Sequence, residues 1–129
     1  MPDKIYRETI SRTALADYSH KAPLKDGKAE FARVILRLQP LERGQGFEFV
    51  NETVGGVVAK EYIGSVEKGV RDAAKSGILN GGEVVDCRVT LCGGAYHDID
   101  SSDQTFYQAA QGAFWKAMKS AGPKLLLTT

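Results

Sequence analysis

The clearest order along the chain is a period-two alternation at residues 32–39. Ala32, Val34, Leu36 and Leu38 are apolar, and Arg33, Ile35, Arg37 and Gln39 interleave with them. Successive side chains of a strand point to opposite faces, so this reads as a strand with one buried and one mixed face, ended by Pro40. A second alternation sets Val85, Cys87, Val89 and Leu91 against Val84, Asp86, Arg88 and Thr90. It predicts another half-buried strand and makes Cys87 a small core residue. Residues 4–10 and 13–21 are rich in β-branched and aromatic side chains and read as extended, and Phe47 and Phe49 flank Glu48 in a short strand.

Two segments switch to helical spacing. Tyr62, Val66, Val70 and Ala74 recur every four residues, charged residues cover the other faces, and Gly77 is placed to cap the helix with a positive φ. Phe106, Ala109, Ala110, Ala113, Phe114, Ala117 and Met118 form a longer stripe. Ser101 stands as its expected N-cap with Gln104 three residues on, as in a capping box. Trp115 sits beside the stripe. Gly122-Pro123 ends the helix, and a short extended tail follows.

Turn chemistry falls at Pro23 and Asp26-Gly27, Gly55-Gly56 and Asn80-Gly81-Gly82, and residues 92–101 read as a long polar loop. About five strands and two helices result, in the order strands, helix, strand, helix. That pattern predicts an α+β two-layer sandwich, with a mostly antiparallel sheet carrying both helices on one face.

Composition narrows the function. The chain has 129 residues, enough for one domain with a real core. Lys and Arg number 17 against 16 Asp and Glu, a net charge of +1, so any nucleic-acid contact must be local. No apolar run approaches the ~20 residues of a membrane span. Cys87 and Cys92 do not make a CxxC pair, and two cysteines are too few for a disulfide framework or a structural zinc site. A reducing, cytoplasmic setting is expected. No GxxxxGK[ST] or GxGxxG segment is present, so no nucleotide is held by a familiar glycine-rich loop.

The chemistry-bearing residues have plain readings beside sharper ones. His97, Asp98 and Asp100 lie close in sequence, but a metal or hydrolytic site needs ligands converging from several elements, and the other histidine, His20, is far away. A solvated turn explains them more simply than a small stand-alone enzyme does. Ser101 and Ser102 near His97 do not make a triad by sequence proximity, and helix capping accounts for Ser101. Lys21, Lys25 and Lys28 with His20 are either a solvated turn or a phosphate-touching hairpin tip, since an arm of about nine residues extends ~30 Å.

Several blocks, taken in order, resemble domain IV of translation elongation factor G. They are Tyr6-Arg7-Glu8-Thr9-Ile10, Gly46-Phe47-Glu48-Phe49-Val50-Asn51, and Gly55-Gly56-Val57-Val58 running into Lys60-Glu61-Tyr62-Ile63. The most specific runs from Val84-Val85-Asp86 through Arg88-Val89-Thr90-Leu91 to Tyr96-His97-Asp98-Ile99-Asp100-Ser101-Ser102. The resemblance implies a fold similar to the second domain of ribosomal protein S-five, with a left-handed βαβ crossover where the general rule is right-handed. It implies that residues 1–129 are a single domain of a larger multidomain GTPase. GTP and magnesium would then belong to that parent, with no cofactor, metal or catalytic residue in this chain.

It also implies a role. Such a domain is a finger that enters the decoding site of the small ribosomal subunit and follows the tRNA–mRNA duplex through translocation. Its partners are small-subunit RNA, that duplex and the parent's other domains, with no membrane. Two loops form the tip. One matches Tyr96, His97, Asp98, Asp100 and Ser101, and the other matches Lys25, Asp26, Gly27 and Lys28. The second loop departs from the family pattern Gly-Gly-Arg-Gly-Gln, reading Asp26-Gly27-Lys28-Ala29-Glu30. Lysine lacks the planar fork of arginine, and two added carboxylates repel phosphate. Family prolines are replaced by Ala59 and Gly64, and the chain closes on Leu125-Leu126-Leu127-Thr128-Thr129 in place of Leu-Leu-Glu-Pro. A paralogue acting in ribosome recycling or tetracycline-type ribosomal protection is the alternative.

Overall fold

The computed structural model describes residues 5–23, 29–79, 82–96 and 100–128. Within them the chain forms β1 (Ile5–Ile10), β2 (Ala14–Pro23), β3 (Ala29–Pro40), β4 (Phe47–Asn51), α1 (Lys60–Ser76), β5 (Glu83–Val84), β6 (Cys87–Tyr96), α2 (Asp103–Ser120) and β7 (Pro123–Thr128). The architecture is α+β, as the alternation of patterns predicts. The strands divide into two sheets rather than one, a four-stranded sheet ordered β2-β3-β6-β4 and a three-stranded sheet ordered β5-β1-β7. Most pairings are antiparallel. β4 runs parallel to β6, so β4, α1 and β6 form a βαβ unit.

The division falls inside the second alternating segment, which does not form one strand. Val84 ends β5 beside β1, and Cys87 begins β6 beside β3. Between them Asp86 has φ 57°, a left-handed conformation that aspartate tolerates better than most side chains. The residue is 3% exposed. Its Oδ1 accepts from the Gly44 and Gly46 amides, each at 3.0 Å, and Oδ2 from the Arg43 guanidinium at 3.2 Å. The Asp86 carbonyl accepts from the Leu41 amide at 2.8 Å. The loop between β3 and β4 is thus wound around one carboxylate at the point where the chain changes sheets. Burial acts to raise the Asp86 pKa; the Gly46 amide, the Arg43 guanidinium and the Gly44 amide together outweigh it and hold the carboxyl below its ordinary value.

The helices cover one face of the larger sheet. Ala32, Val34, Leu36 and Leu38 of β3 have no exposed surface, and neither do Phe106, Ala109, Ala110, Ala113, Phe114, Ala117 and Met118 of α2. Phe47 of β4 meets Phe114 edge-on at 6.3 Å. Helix α1 packs on α2 through Gly69, where a Cβ would stand 2.5 Å from the Tyr107 carbonyl oxygen. The opposite face of the sheet stays open. Leu15 of β2 is 64% exposed there, and Asp17–Arg33, Glu52–Arg37 and Glu48–Arg88 pair across it.

A buried carboxylate also fixes the turn after α1. Gly77 has φ 59°, as its place at the helix end predicts, and a Cβ there would collide with the Glu8 side chain. Glu8 is fully buried on β1 and accepts from the amides of Ile78 at 2.7 Å, Leu79 at 3.0 Å and Gly82 at 3.3 Å. The extended tail is β7, paired antiparallel to β1 along its length. Among the described residues no helix is long and apolar enough to cross a membrane.

Candidate nucleic-acid interface

The residues singled out for function cluster at one end of the larger sheet. β3 starts at Ala29, and its antiparallel neighbours reach the same end, β2 finishing at Pro23 opposite Ala29 and β6 at Tyr96 opposite Ala32. The β2–β3 link and the β6–α2 link therefore both leave from this end. Six predicted contact residues, Lys25, Asp26, Gly27, Lys28, His97 and Asp98, lie outside the described residues. Tyr96, Asp100 and Ser101 lie within them and mark the stems of the second link.

Two expectations about those stems need correction. The polar loop does not begin at Cys92. β6 continues to Tyr96, past an irregularity opposite Ile35 and Leu36 that absorbs one extra residue. Ser101 is not the N-cap of α2. Ser102 is, extended at φ −151° and ψ 170°, with its hydroxyl accepting from the Thr105 amide at 3.1 Å. Ser101 is drawn away instead. Its Oγ donates to the Phe31 carbonyl at 2.6 Å, and the Phe31 amide donates to the Asp100 carbonyl at 3.0 Å. Two hydrogen bonds thus fasten the returning chain to β3, just inside the hairpin.

An aromatic group backs this junction. Tyr62 of α1 stacks on Phe106 of α2 at 4.7 Å and 16°, meets Tyr96 edge-on at 6.1 Å, and donates its hydroxyl to the Ser101 carbonyl at 3.3 Å. Sequence periodicity marks Tyr62 only as a core position of α1. Nothing in its spacing shows that it reaches both sides of residues 97–99.

On the hairpin side, Lys21 projects over the Phe31 ring, 5.9 Å from its centroid, and His20 Nε2 lies 3.8 Å from Glu30 Oε1. The hairpin end therefore carries mixed charge, in keeping with the near-balance of the whole chain. Among the described residues no three His, Cys, Asp or Glu side chains stand together to hold a metal ion. Among the described residues, one surface cleft lies beside Phe47, Arg71 and Val84 and another beside Ser65, Lys68 and Tyr107.

Comparison with known proteins identifies the family. The family model described as elongation factor G, domain IV, matches residues 2–122. An elongation factor G-like protein of Thermotoga maritima is 48% identical over 125 residues, which is 97% of this chain. A crystal structure of a protein from Thermus thermophilus superposes with a TM-score of 0.88 at 36% identity over 96% of this chain. The chain spans 18% of the length of each of these two relatives.

Proposed function

This chain belongs to the elongation factor G domain IV family, a translation elongation factor domain, and on that premise we propose that it is the ribosome-entering finger of a translational GTPase. In this reading, residues 24–28 and 97–99 enter the decoding site of the small subunit and contact its RNA and the tRNA–mRNA duplex. GTP and magnesium are assigned to another domain of the parent, and this chain supplies position rather than chemistry. The observation that carries the proposal is the lacing of Phe31 to Asp100 and Ser101, which brings both links to one sheet end.

The physical work expected of the finger is modest. A scaffold rigid behind its tip loses little conformational freedom on binding, and the tip gains hydrogen bonds to phosphates, 2′-hydroxyls and base edges. His97 can donate, accept or stack on a base, and Lys25 and Lys28 supply point charges for phosphate. Ser101 and Tyr96 serve this reading through position, because Ser101 is buried in its bond to Phe31 and Tyr96 is packed on Tyr62. The small contact area predicts weak binding by the chain alone. Chemical probing of small-subunit RNA tests the proposal: the chain should protect decoding-site nucleotides, and His97→Ala should abolish the protection. Protection elsewhere, or none at saturating chain, contradicts it.

The altered hairpin favours a second reading within the same class. Asp26 and Glu30 add carboxylates where the family pattern has Gly and Gln, so the parent is a paralogue that meets the ribosome in recycling or in antibiotic protection. Restoring Gly-Gly-Arg-Gly-Gln at residues 26–30 separates the two. A gain in translocation supports the paralogue reading, and no change supports the main elongation role.

A further inference from the structure

We propose that Asp86 is a positioning residue, the joint that sets the angle between the two sheets and thereby aims the far end of the larger one. The consequence for the ribosome rests on the function proposed above; the joint itself does not.

The chain passes from the smaller sheet to the larger one within three residues, and the outer two are clamped. The Val85 amide donates to the Glu8 carbonyl at 2.8 Å, and the Val85 carbonyl accepts from Thr9 Oγ1 at 2.8 Å. Both partners lie on β1. Cys87 is fully buried at the start of β6, opposite Pro40 and Phe47, and its amide donates to the Gly46 carbonyl at 3.1 Å. The freedom to turn is thus confined to Asp86, whose φ of 57° is the one positive value among the described non-glycine residues.

The carboxylate holds that turn. Its partners, the Gly44 and Gly46 amides and the Arg43 guanidinium, all belong to the loop that joins β3 to β4 of the larger sheet. The Asp86 side chain is buried, so water does not replace these bonds cheaply. The other crossing made without a helix, from β1 to β2, is built differently. Ser11 and Arg12 are exposed there and bond to the carbonyls of Ser120, Ala121 and Gly122. A buried side chain fixes one crossing, and open-turn hydrogen bonds fix the other.

Placement gives the joint its leverage. Asp86 precedes Cys87, which pairs with Pro40 at one end of β3, whereas Tyr96 pairs with Ala32 near the other. The 12 residues of β3 span ~40 Å. A tilt of about 10° at Asp86 therefore displaces the far end by roughly 7 Å, more than twice the length of a hydrogen bond. A domain that works by contact at that end needs this angle fixed.

The test is amide residual dipolar couplings measured on the 129-residue chain and its variants. In the wild type, one alignment should fit both sheets. Asp86→Gly accepts the positive φ but has no carboxylate. The misfit of β1 and β7 couplings to the alignment of β3 and β6 should then rise at least about 3-fold. Asp86→Asn and Arg43→Ala each lose the guanidinium bond and keep an oxygen for both amides, so the rise should be about 1.5-fold. Val34→Ala, a core truncation in β3, should weaken the fold without raising the misfit, which separates a lost joint from lost stability. A single alignment that still fits Asp86→Gly, or an equal rise in Val34→Ala, overturns the proposal. Should Asp86→Gly fail to fold, Asp86→Asn and Arg43→Ala carry the test, and no rise in either overturns it. In the full-length parent, Asp86→Gly should slow single-round translocation at least about 5-fold, or Asp86→Asn about 2-fold. If the couplings shift as stated and translocation does not slow, the ribosome reading fails and the joint stands.

Discussion

Ser101 Oγ donates to the carbonyl of Phe31 at 2.6 Å, joining two positions 70 residues apart. The bond turns the Ser101 side chain toward β3, and Ser102 caps α2. Two substitutions separate the roles. Ser102→Ala should cost ~1 kcal/mol through the lost cap. Ser101→Ala should cost ~1–3 kcal/mol, since it leaves the Phe31 carbonyl without this partner in a part-buried place. The distinguishing readout is hydrogen exchange: Ser102→Ala loosens the first turn of α2, whereas Ser101→Ala loosens residues 100–101 and the Phe31 end of β3.

Asp86 gives a pH dependence with a definite sign. Its folded pKa is lowered, so the stability it contributes is fully present above its ordinary value of 3.8 and is lost as pH falls through the folded value. Wild-type stability should therefore drop on acidification below roughly pH 4, and Asp86→Asn should flatten that part of the curve. The amide oxygen of Asn can still accept from Gly44 and Gly46, so the variant should fold at neutral pH with a loss of about 2 kcal/mol. Denaturant unfolding between pH 2 and 7, compared for the two proteins, checks this.

Glu8 anchors the turn between α1 and β5 through three backbone amides. Glu8→Ala should destabilise by about 3 kcal/mol, because buried and part-buried amides lose this acceptor at once. Glu8→Gln, which keeps one acceptor oxygen, should cost less. Chemical denaturation of both variants gives the ordering, and equal losses would argue against the amide cradle.

The two cysteines should differ sharply in reactivity. Cys87 is fully buried, and burial pushes its thiol up to about 12. Cys92 is partly exposed on β6; burial raises its thiol too, with the Arg37 guanidinium opposing that rise. Since the thiolate is the nucleophile, a maleimide at neutral pH should label Cys92 slowly and Cys87 only after unfolding. Mass spectrometry of the native and denatured chain reads the result.

Much of this fold is legible in short-range pattern. The apolar face of β3, the stripe of α2 and the positive φ of Gly77 all follow from period and residue type, because burial selects for them locally. The unreadable parts are set at long range. The alternation from Val84 to Leu91 looks continuous, yet it crosses from one sheet to the other at Asp86, and what turns it there is a loop 40 residues earlier. The extension of β6 through Cys92, Gly93 and Gly94 is stabilised by pairing with β3, which no propensity of those residues announces. The candidate interface divides in the same way. His97 and Asp98 stand out by residue type and resemblance, while Tyr62 takes its place at the site only through the packing of α1 on α2.

The central claim of the proposed function is that residues 97–99 act on the ribosome by contact rather than by chemistry. Single-round translocation, measured in the full-length parent carrying His97→Ala, tests it most directly. The account predicts a translocation rate lowered at least about 10-fold, the effect of ~1.4 kcal/mol in the barrier, with ribosome-stimulated GTP hydrolysis unchanged within about 2-fold. An unchanged translocation rate, or an equal fall in GTP hydrolysis, would contradict it.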